Sequence, residues 1–131
     1  MLKVNELKQG DIVVVNDEGV EREGTVVKVS HEEHQALVNN GVQEFWYSQE
    51  DMKPVRVDEK QLSLLGFTSE QTDKGLKFKK DSFRMMIPGT GDFSRVEMWY
   101  REDRRHFNHP LNVHELQNLH LDMTKVPLER H

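Results

Sequence analysis

One stretch of the sequence decides the fold of the first half of the chain, and it runs Gly10-Asp11-Ile12-Val13-Val14-Val15-Asn16-Asp17-Glu18-Gly19. Its β-branched run from Ile12 to Val15 predicts a buried strand. The four residues after the run predict a tight turn, because Asn and Asp bond their own backbone and Gly adopts positive φ. A strand that reverses at once in this way predicts an antiparallel sheet.

Further short strands follow at regular intervals. Apolar and β-branched segments at 25–29, 35–38 and 42–47 predict three more strands, and 53–57 predicts a short fifth one. Asn39-Asn40-Gly41 suits the positive φ of a hairpin turn between the third and fourth strands. Ser48 is a suitable cap for a single helical turn before the last strand.

This order of elements resembles a Src-homology-3-like small barrel. The resemblance is carried by "Gly-Asp-x-Val" at residues 10–13 and by a closing "Asp-x-x-Pro-Val" at residues 51–55. It covers residues 7–57 and implies that residues 1–57 form such a barrel. It implies no particular function, because small barrels of this kind support many unrelated binding roles.

A change of period marks residues 58–67 as a linking helix. Asp58 is a suitable N-cap, Leu62 and Leu65 lie three residues apart, and Gly66 is suited to end the helix in the left-handed conformation.

Residues 68–131 predict a small antiparallel sheet that carries one helix. Segments at 76–80, 83–87 and 93–100 alternate apolar and polar residues, as expected for a sheet with one wet face, and Phe107 begins a possible fourth strand. Residues 101–105 predict a charged turn. Pro110 precedes a helix from Val113 to about Met123, and the tail from residue 124 is predicted to be frayed. The whole chain is therefore predicted to be α+β and mainly β.

A second resemblance concerns uncharacterised small proteins of Bacteroidetes bacteria and of their phages or prophages. It is carried by "Pro-Val-x-Val" leading to "Leu-x-x-x-Gly-Phe" at residues 54–67 and by a "Val-His-Glu-Leu-Gln-Asn-Leu" helix. The helix motif is present here without substitution as Val113, His114, Glu115, Leu116, Gln117, Asn118 and Leu119. The resemblance implies a mobile-element context and no particular chemistry.

Composition narrows the class of function. The chain has 131 residues, of which 35% are hydrophobic and 31% charged, and it has no cysteine, so thiolate metal sites and cysteine nucleophiles are excluded. No apolar run has the roughly 18 residues that a membrane helix needs, so we expect a cytoplasmic protein without a membrane partner. Residues 1–57 carry 6 Lys/Arg against 11 Asp/Glu, which disfavours nucleic-acid binding by this half.

Histidines suggest the only candidate metal site. Four of the seven lie between residues 106 and 120, and His106, His109 and His114, with Glu115, offer ligands that zinc accepts. Pro110 separates His106 and His109 from the helix, so the rigid helical pairing of a zinc protease is missing. The alternative, which we prefer, is that the first two are solvated and that His114 is a capping or hydrogen-bonding residue. In the same helix, His114, Gln117 and Asn118 form either a docking surface or a buried polar clasp.

Aromatic residues suggest a protein-binding site. Trp46 and Tyr47 would line a peptide groove if one side of the fourth strand is open, and Trp99 lies on the polar side of its strand. The alternative for Trp46 and Tyr47 is a place in the barrel core, and the alternative for Trp99 is the contact between the two halves.

Basic residues of the second half suggest a nucleic-acid surface. They are Lys77, Lys79, Lys80, Arg101, Arg104 and Arg105. Trp99 among arginines is suited to stack on a base, although charge runs on strands are more often simply solvated.

The sequence thus predicts a non-enzymatic binding or structural module without a cofactor. The leading hypothesis is binding of an unknown protein partner. Nucleic-acid binding through the second half is the alternative, and a metal-dependent enzyme built on the histidines is the weakest hypothesis. The oligomeric state is left open.

Overall fold

The computed structural model describes residues 2–130 and confirms a mainly β chain of the α+β class. The chain divides into two compact units. One contains the residues up to Val55 together with Val113–Glu115, and the other contains Arg56–Asn112 and the chain from Leu116 onward. Within the described residues, no helix is both long and apolar enough to cross a membrane.

The first unit is built on a five-stranded antiparallel sheet. Its strands, in the order β4-β3-β2-β1-β5, are β1 (Ile12–Asp17), β2 (Val20–Ser30), β3 (Gln35–Asn39), β4 (Glu44–Ser48) and β5 (Met52–Pro54). A 3-10 turn at Gln49–Asp51 separates β4 from β5, as predicted. The predicted barrel is not confirmed, because the sheet is open and no ladder joins β4 to β5 among residues 2–130.

Strand β2 is longer than predicted, because it pairs with β1 from the turn onward. It begins at Val20, directly after the turn, so Gly24 lies inside the strand opposite Val13. A Cβ at Gly24 would lie 2.5 Å from Cγ1 of Val38. The glycine therefore marks close strand contact rather than a turn. The core of this unit contains Val13, Val15, Val26, Ala36, Val38, Tyr47 and Met52.

The second unit holds a five-stranded antiparallel meander in the order β10-β9-β8-β7-β6. Its strands are β6 (Thr68–Thr72), β7 (Gly75–Lys80), β8 (Phe83–Ile87), β9 (Val96–Tyr100) and β10 (Asp103–Phe107). The sequence did not predict β6, and the turn predicted at 101–105 is wrong, because only Arg101 and Glu102 turn and β10 begins at Asp103. Both strands lie at an edge and are largely polar, so neither has the apolar alternation that identified β7, β8 and β9.

A helix occurs where the linking helix was predicted, as α1 (Glu59–Leu64), and it belongs to the second unit. The Asp58 carboxylate accepts a hydrogen bond from the backbone N–H of Gln61 at 2.7 Å, which satisfies one of the unpaired donors at the start of the helix. Gly66 follows with φ +93° and ends the helix as expected.

The second helix, α2 (Val113–Thr124), also occurs where predicted. In the second unit, Leu116 is fully buried, and the His120 ring contacts Phe83 edge-on at a centroid distance of 4.8 Å. Arg105 of β10 pairs with Asp122 of the same helix at 3.0 Å. These contacts place the helical part of this unit against the sheet face that carries Phe83.

The prediction of a frayed tail is wrong as far as Arg130, and the final residue lies outside the described part of the chain. Leu128 is 1% exposed, and its carbonyl accepts a hydrogen bond from Nε2 of Gln117 at 2.9 Å. The carbonyl of Val126 accepts one from Nδ1 of His120 at 2.8 Å. Arg130 is hydrogen-bonded to the side chain of Gln61. The tail is therefore held by polar contacts that no local sequence pattern predicts.

Candidate functional site

The three candidate metal ligands each have a separate local environment. His106 lies on β10 with Nε2 3.7 Å from a carboxylate oxygen of Glu97. Nδ1 of His109 is 3.0 Å from the carbonyl of Pro110, and the Nε2 of His114 is 3.0 Å from Oε2 of Glu6. No group of three or more metal-ligating side chains forms within residues 2–130. The metal hypothesis therefore gains no assembled ligand set.

The Val113–Leu119 motif is mainly a packing and hydrogen-bonding segment. Val113, Leu116 and Gln117 are completely buried and His114 is 1% exposed, whereas Glu115, Asn118 and Leu119 are half-buried. Gln117 bonds to the tail, and His114 bonds to Glu6 of the 3-10 turn Val4–Glu6. The buried positions are not available as a docking surface.

The aromatic residues of β4 divide into one core residue and two exposed ones. Tyr47 is 7% exposed, and its hydroxyl accepts a hydrogen bond from Nδ2 of Asn40 at 2.9 Å. Its prediction as a protein-binding residue is wrong, because it belongs to the core. Trp46 is 47% exposed, and Phe45, which the sequence interpretation did not select, is 46% exposed.

Strand β4 forms one edge of the first sheet, and its hydrogen-bonding pattern shows which peptide groups point outward. Two bonds fix the pattern: Asn40 N–H donates to the carbonyl of Gln43, and Gln49 N–H donates to that of His34. In an antiparallel ladder, bonded and non-bonded positions alternate. Phe45 and Tyr47 therefore bond inward to β3, and Trp46 directs its N–H and C=O away from the sheet. Together, the outward peptide groups of Glu44, Trp46 and Ser48 and the exposed rings of Phe45 and Trp46 form the β4 edge.

Apolar and acidic side chains surround the β4 edge. Val42, in the turn before β4, is 76% exposed, which adds a third exposed hydrophobic side chain to Phe45 and Trp46. Exposed carboxylates occur at the start of β4 and directly after it, at Glu44, Glu50 and Asp51. The edge thus combines unpaired backbone groups, apolar rings and negative charge.

The candidate basic residues lie in four different environments. Lys77, Lys79 and Arg104 lie on the face of the second sheet opposite to the buried Phe83, Met85 and Met98, since side chains alternate along each strand. Lys80 instead donates to the carbonyl of Leu65 at 2.9 Å. Arg105 pairs with Asp103 and Asp122, each at 3.0 Å, which favours its charged form and raises its pKa. Arg101 lies in the β9–β10 turn, 5.1 Å from the centre of the Tyr100 ring.

One cross-strand row of the open face concentrates positive charge around Trp99. Lys79 is paired in register with Arg84, Arg84 with Trp99, and Trp99 with Arg104, so the four side chains, here called the basic row, follow one another across β7, β8, β9 and β10. The Arg104 guanidinium lies 5.1 Å from the centre of the Trp99 ring and pairs with Glu97 at 2.7 Å. The sequence interpretation did not select Arg84, although its place between the core residues Phe83 and Met85 puts it on the wet face.

Comparison of the chain with models of protein families, with curated proteins and with solved structures finds no match. The resemblance to proteins of Bacteroidetes and their phages therefore stays a prediction.

Proposed function

We propose that this protein is a non-enzymatic protein-binding module, in which the β4 edge pairs with an extended segment of a partner protein. The observation that carries this proposal is the outward orientation of the Trp46 peptide groups beside two exposed aromatic rings. An unpaired sheet edge is a ready template for an added strand, whose main-chain bonds give affinity and whose side chains give specificity. The mobile-element context implied by the 113–119 motif belongs to the same proposal.

Charge favours a cationic partner. Residues 1–57 carry 6 Lys/Arg against 11 Asp/Glu, and Glu44, Glu50 and Asp51 are exposed near the edge. Opposite charges across an interface accelerate encounter and exclude wrong partners. The expected ligand is an extended segment in which apolar residues alternate with Lys or Arg. A second copy of this acidic unit is disfavoured by the same charge.

The test uses two synthetic peptides of equal length, in which Val alternates either with Lys or with Glu. Calorimetry should detect binding of the Lys peptide and not of the Glu peptide. Trp46→Pro removes the outward N–H and leaves the inward β3–β4 bonds in place, so it should abolish binding while the protein stays folded. Trp46→Ala keeps the N–H and should only weaken binding.

Phe45→Pro is the matched control for the register, because it removes an inward N–H and should disrupt the sheet in the circular dichroism spectrum. Equal binding of the Lys and Glu peptides, or full binding by a folded Trp46→Pro variant, would contradict the proposal.

A further inference from the structure

We infer that the open face of the second sheet is a separate binding site, for single-stranded nucleic acid, centred on the basic row. The site shares no residue with the β4 edge, and it uses a different chemistry. Its ligand is recognised by phosphate contacts and by stacking of an unpaired base on Trp99.

The spacing of the row suits a polyanionic strand. Neighbouring strands of a sheet are about 4.8 Å apart, so Lys79, Arg84, Trp99 and Arg104 together span about 14 Å. Lys79, Arg84 and Arg104 place three cations within this distance, enough to contact successive phosphates. A known type of RNA-binding module stacks unpaired bases on aromatic side chains of a sheet face, and Trp99 is the aromatic residue of this row.

The charge of the wider face has the same sign as the row. Lys77 lies on the same face, and Lys74 and Arg95 line a shallow groove at one end of it together with His106. Two carboxylates oppose this charge. Glu70 is paired in register with Lys77, and Glu97 is neutralised in part by Arg104 at 2.7 Å. Basic side chains therefore outnumber acidic ones on this face, although the whole chain is acidic.

The Trp99 ring is partly exposed. The ring is half-buried, and Arg104 covers it from one side. The Arg84 guanidinium donates to the carbonyls of Asp81 and Phe83, near the β7–β8 turn. In a duplex the base faces are already stacked, so the arrangement selects unpaired strands.

The test measures binding of a fluorescent oligothymidylate of about 20 nucleotides, longer than one expected site. If three phosphates are contacted, the logarithm of the affinity should fall with the logarithm of salt concentration with a slope of about −2. Lys79→Glu should flatten that slope, and Trp99→Leu should weaken binding on the order of tenfold. Lys60→Glu, which makes the same charge change at an exposed position of α1, should bind like the original protein.

A variant that should bind oligothymidylate more tightly provides a further test of the site. Glu97→Gln removes the carboxylate beside the row and releases Arg104, so it should tighten binding several-fold. In a Trp46→Phe background, where Trp99 is the one remaining tryptophan, oligothymidylate should quench the fluorescence. Trp46→Pro should leave this binding unchanged, which keeps the site distinguishable from the β4 edge.

Absence of binding at about 50 mM salt would overturn the inference, since electrostatic affinity is large under that condition. Equal binding of a duplex of the same length, or equal competition by polyglutamate, would also overturn it. Equal binding of the duplex would exclude stacking on Trp99. Equal competition by polyglutamate would identify an acidic protein as the ligand.

Discussion

Two glycines with positive φ, Gly75 and Gly91, differ in the space around the position of a Cβ atom. Gly75 begins β7 with φ +138°, and a Cβ there would lie 2.2 Å from the carbonyl oxygen of Ile87. Gly91, in the loop before β9, also has a positive φ of +78°, but nothing lies within 4 Å of its Cβ position. The two glycines thus separate backbone strain from steric contact.

Gly75→Ala should lower the free energy of unfolding by more than about 2 kcal/mol, because strain and a clash with backbone act together. Gly91→Ala should cost about 1 kcal/mol from strain alone. Urea denaturation of both variants measures the difference. Equal costs would show that the contact between β7 and β8 at Gly75 is looser than described.

Asp11, at the start of the first sheet, gives a prediction for pH. Its side chain is fully buried, and burial raises the pKa of this carboxyl, while hydrogen bonds from Nζ and N–H of Lys8 at 2.6 Å and 3.0 Å offset part of the increase. Because the folded state holds the proton more tightly than the unfolded state, the stability contributed by this group is present below the ordinary pKa. It is lost as pH rises through the raised pKa.

The stability of the original protein relative to Asp11→Asn should therefore be greatest at acid pH and should fall as pH rises. Urea denaturation at several pH values between about 3 and 7 measures this. Asp51→Asn, at an exposed position, is the control for loss of one charge. A relative stability that increases with pH would contradict the described burial of Asp11.

At the scale of elements, some strands and helices could be predicted from local sequence patterns and others could not. The alternation of Phe83, Met85 and Ile87 predicted β8, and Asp58 predicted the start of α1, because each signal lies within a few residues. Strand β6 gave no such signal, and Phe107, predicted to begin a fourth strand, instead ends β10. Both strands are held by pairing with β7 and β9, which is a tertiary effect.

The β4 edge illustrates the same limit within the candidate site. Alternation places Phe45 and Tyr47 on one side of the strand, yet only Tyr47 is buried. Tyr47 lies opposite the buried Ala36 and is hydrogen-bonded to Asn40, whereas Phe45 is closer to the hairpin turn. Strand period alone could not separate these two positions.

The tail from residue 125 provides the prediction at this scale. Leu128→Ala should lower the free energy of unfolding by about 2 kcal/mol or more, because a buried leucine is truncated next to the carbonyl that Gln117 binds. Val126→Ala, at a position 57% exposed, should change it by less than about 0.5 kcal/mol. Thermal denaturation of the two variants compares them. Similar melting temperatures of the two variants would instead support the frayed tail predicted from the sequence.

For the whole molecule, the two proposed binding surfaces differ in charge. The acidic first half carries the apolar sheet edge that we propose binds a cationic protein segment, and the second half carries the basic row that we propose binds a nucleic-acid strand. The sequence indicated both charge patterns. It could not indicate which side chains share a surface, because Arg84, Trp99 and Arg104 meet only through strand register.

The most direct measurement is amide hydrogen exchange at residues 45–47, without and with the peptide in which Val alternates with Lys. The N–H groups of Phe45 and Tyr47 bond inward, so they should exchange slowly in both states. The N–H of Trp46 should exchange rapidly in the free protein and at least about tenfold more slowly in the complex. Slow exchange of Trp46 in the free protein, or no change when the peptide is bound, would contradict the assignment of the β4 edge as the binding site.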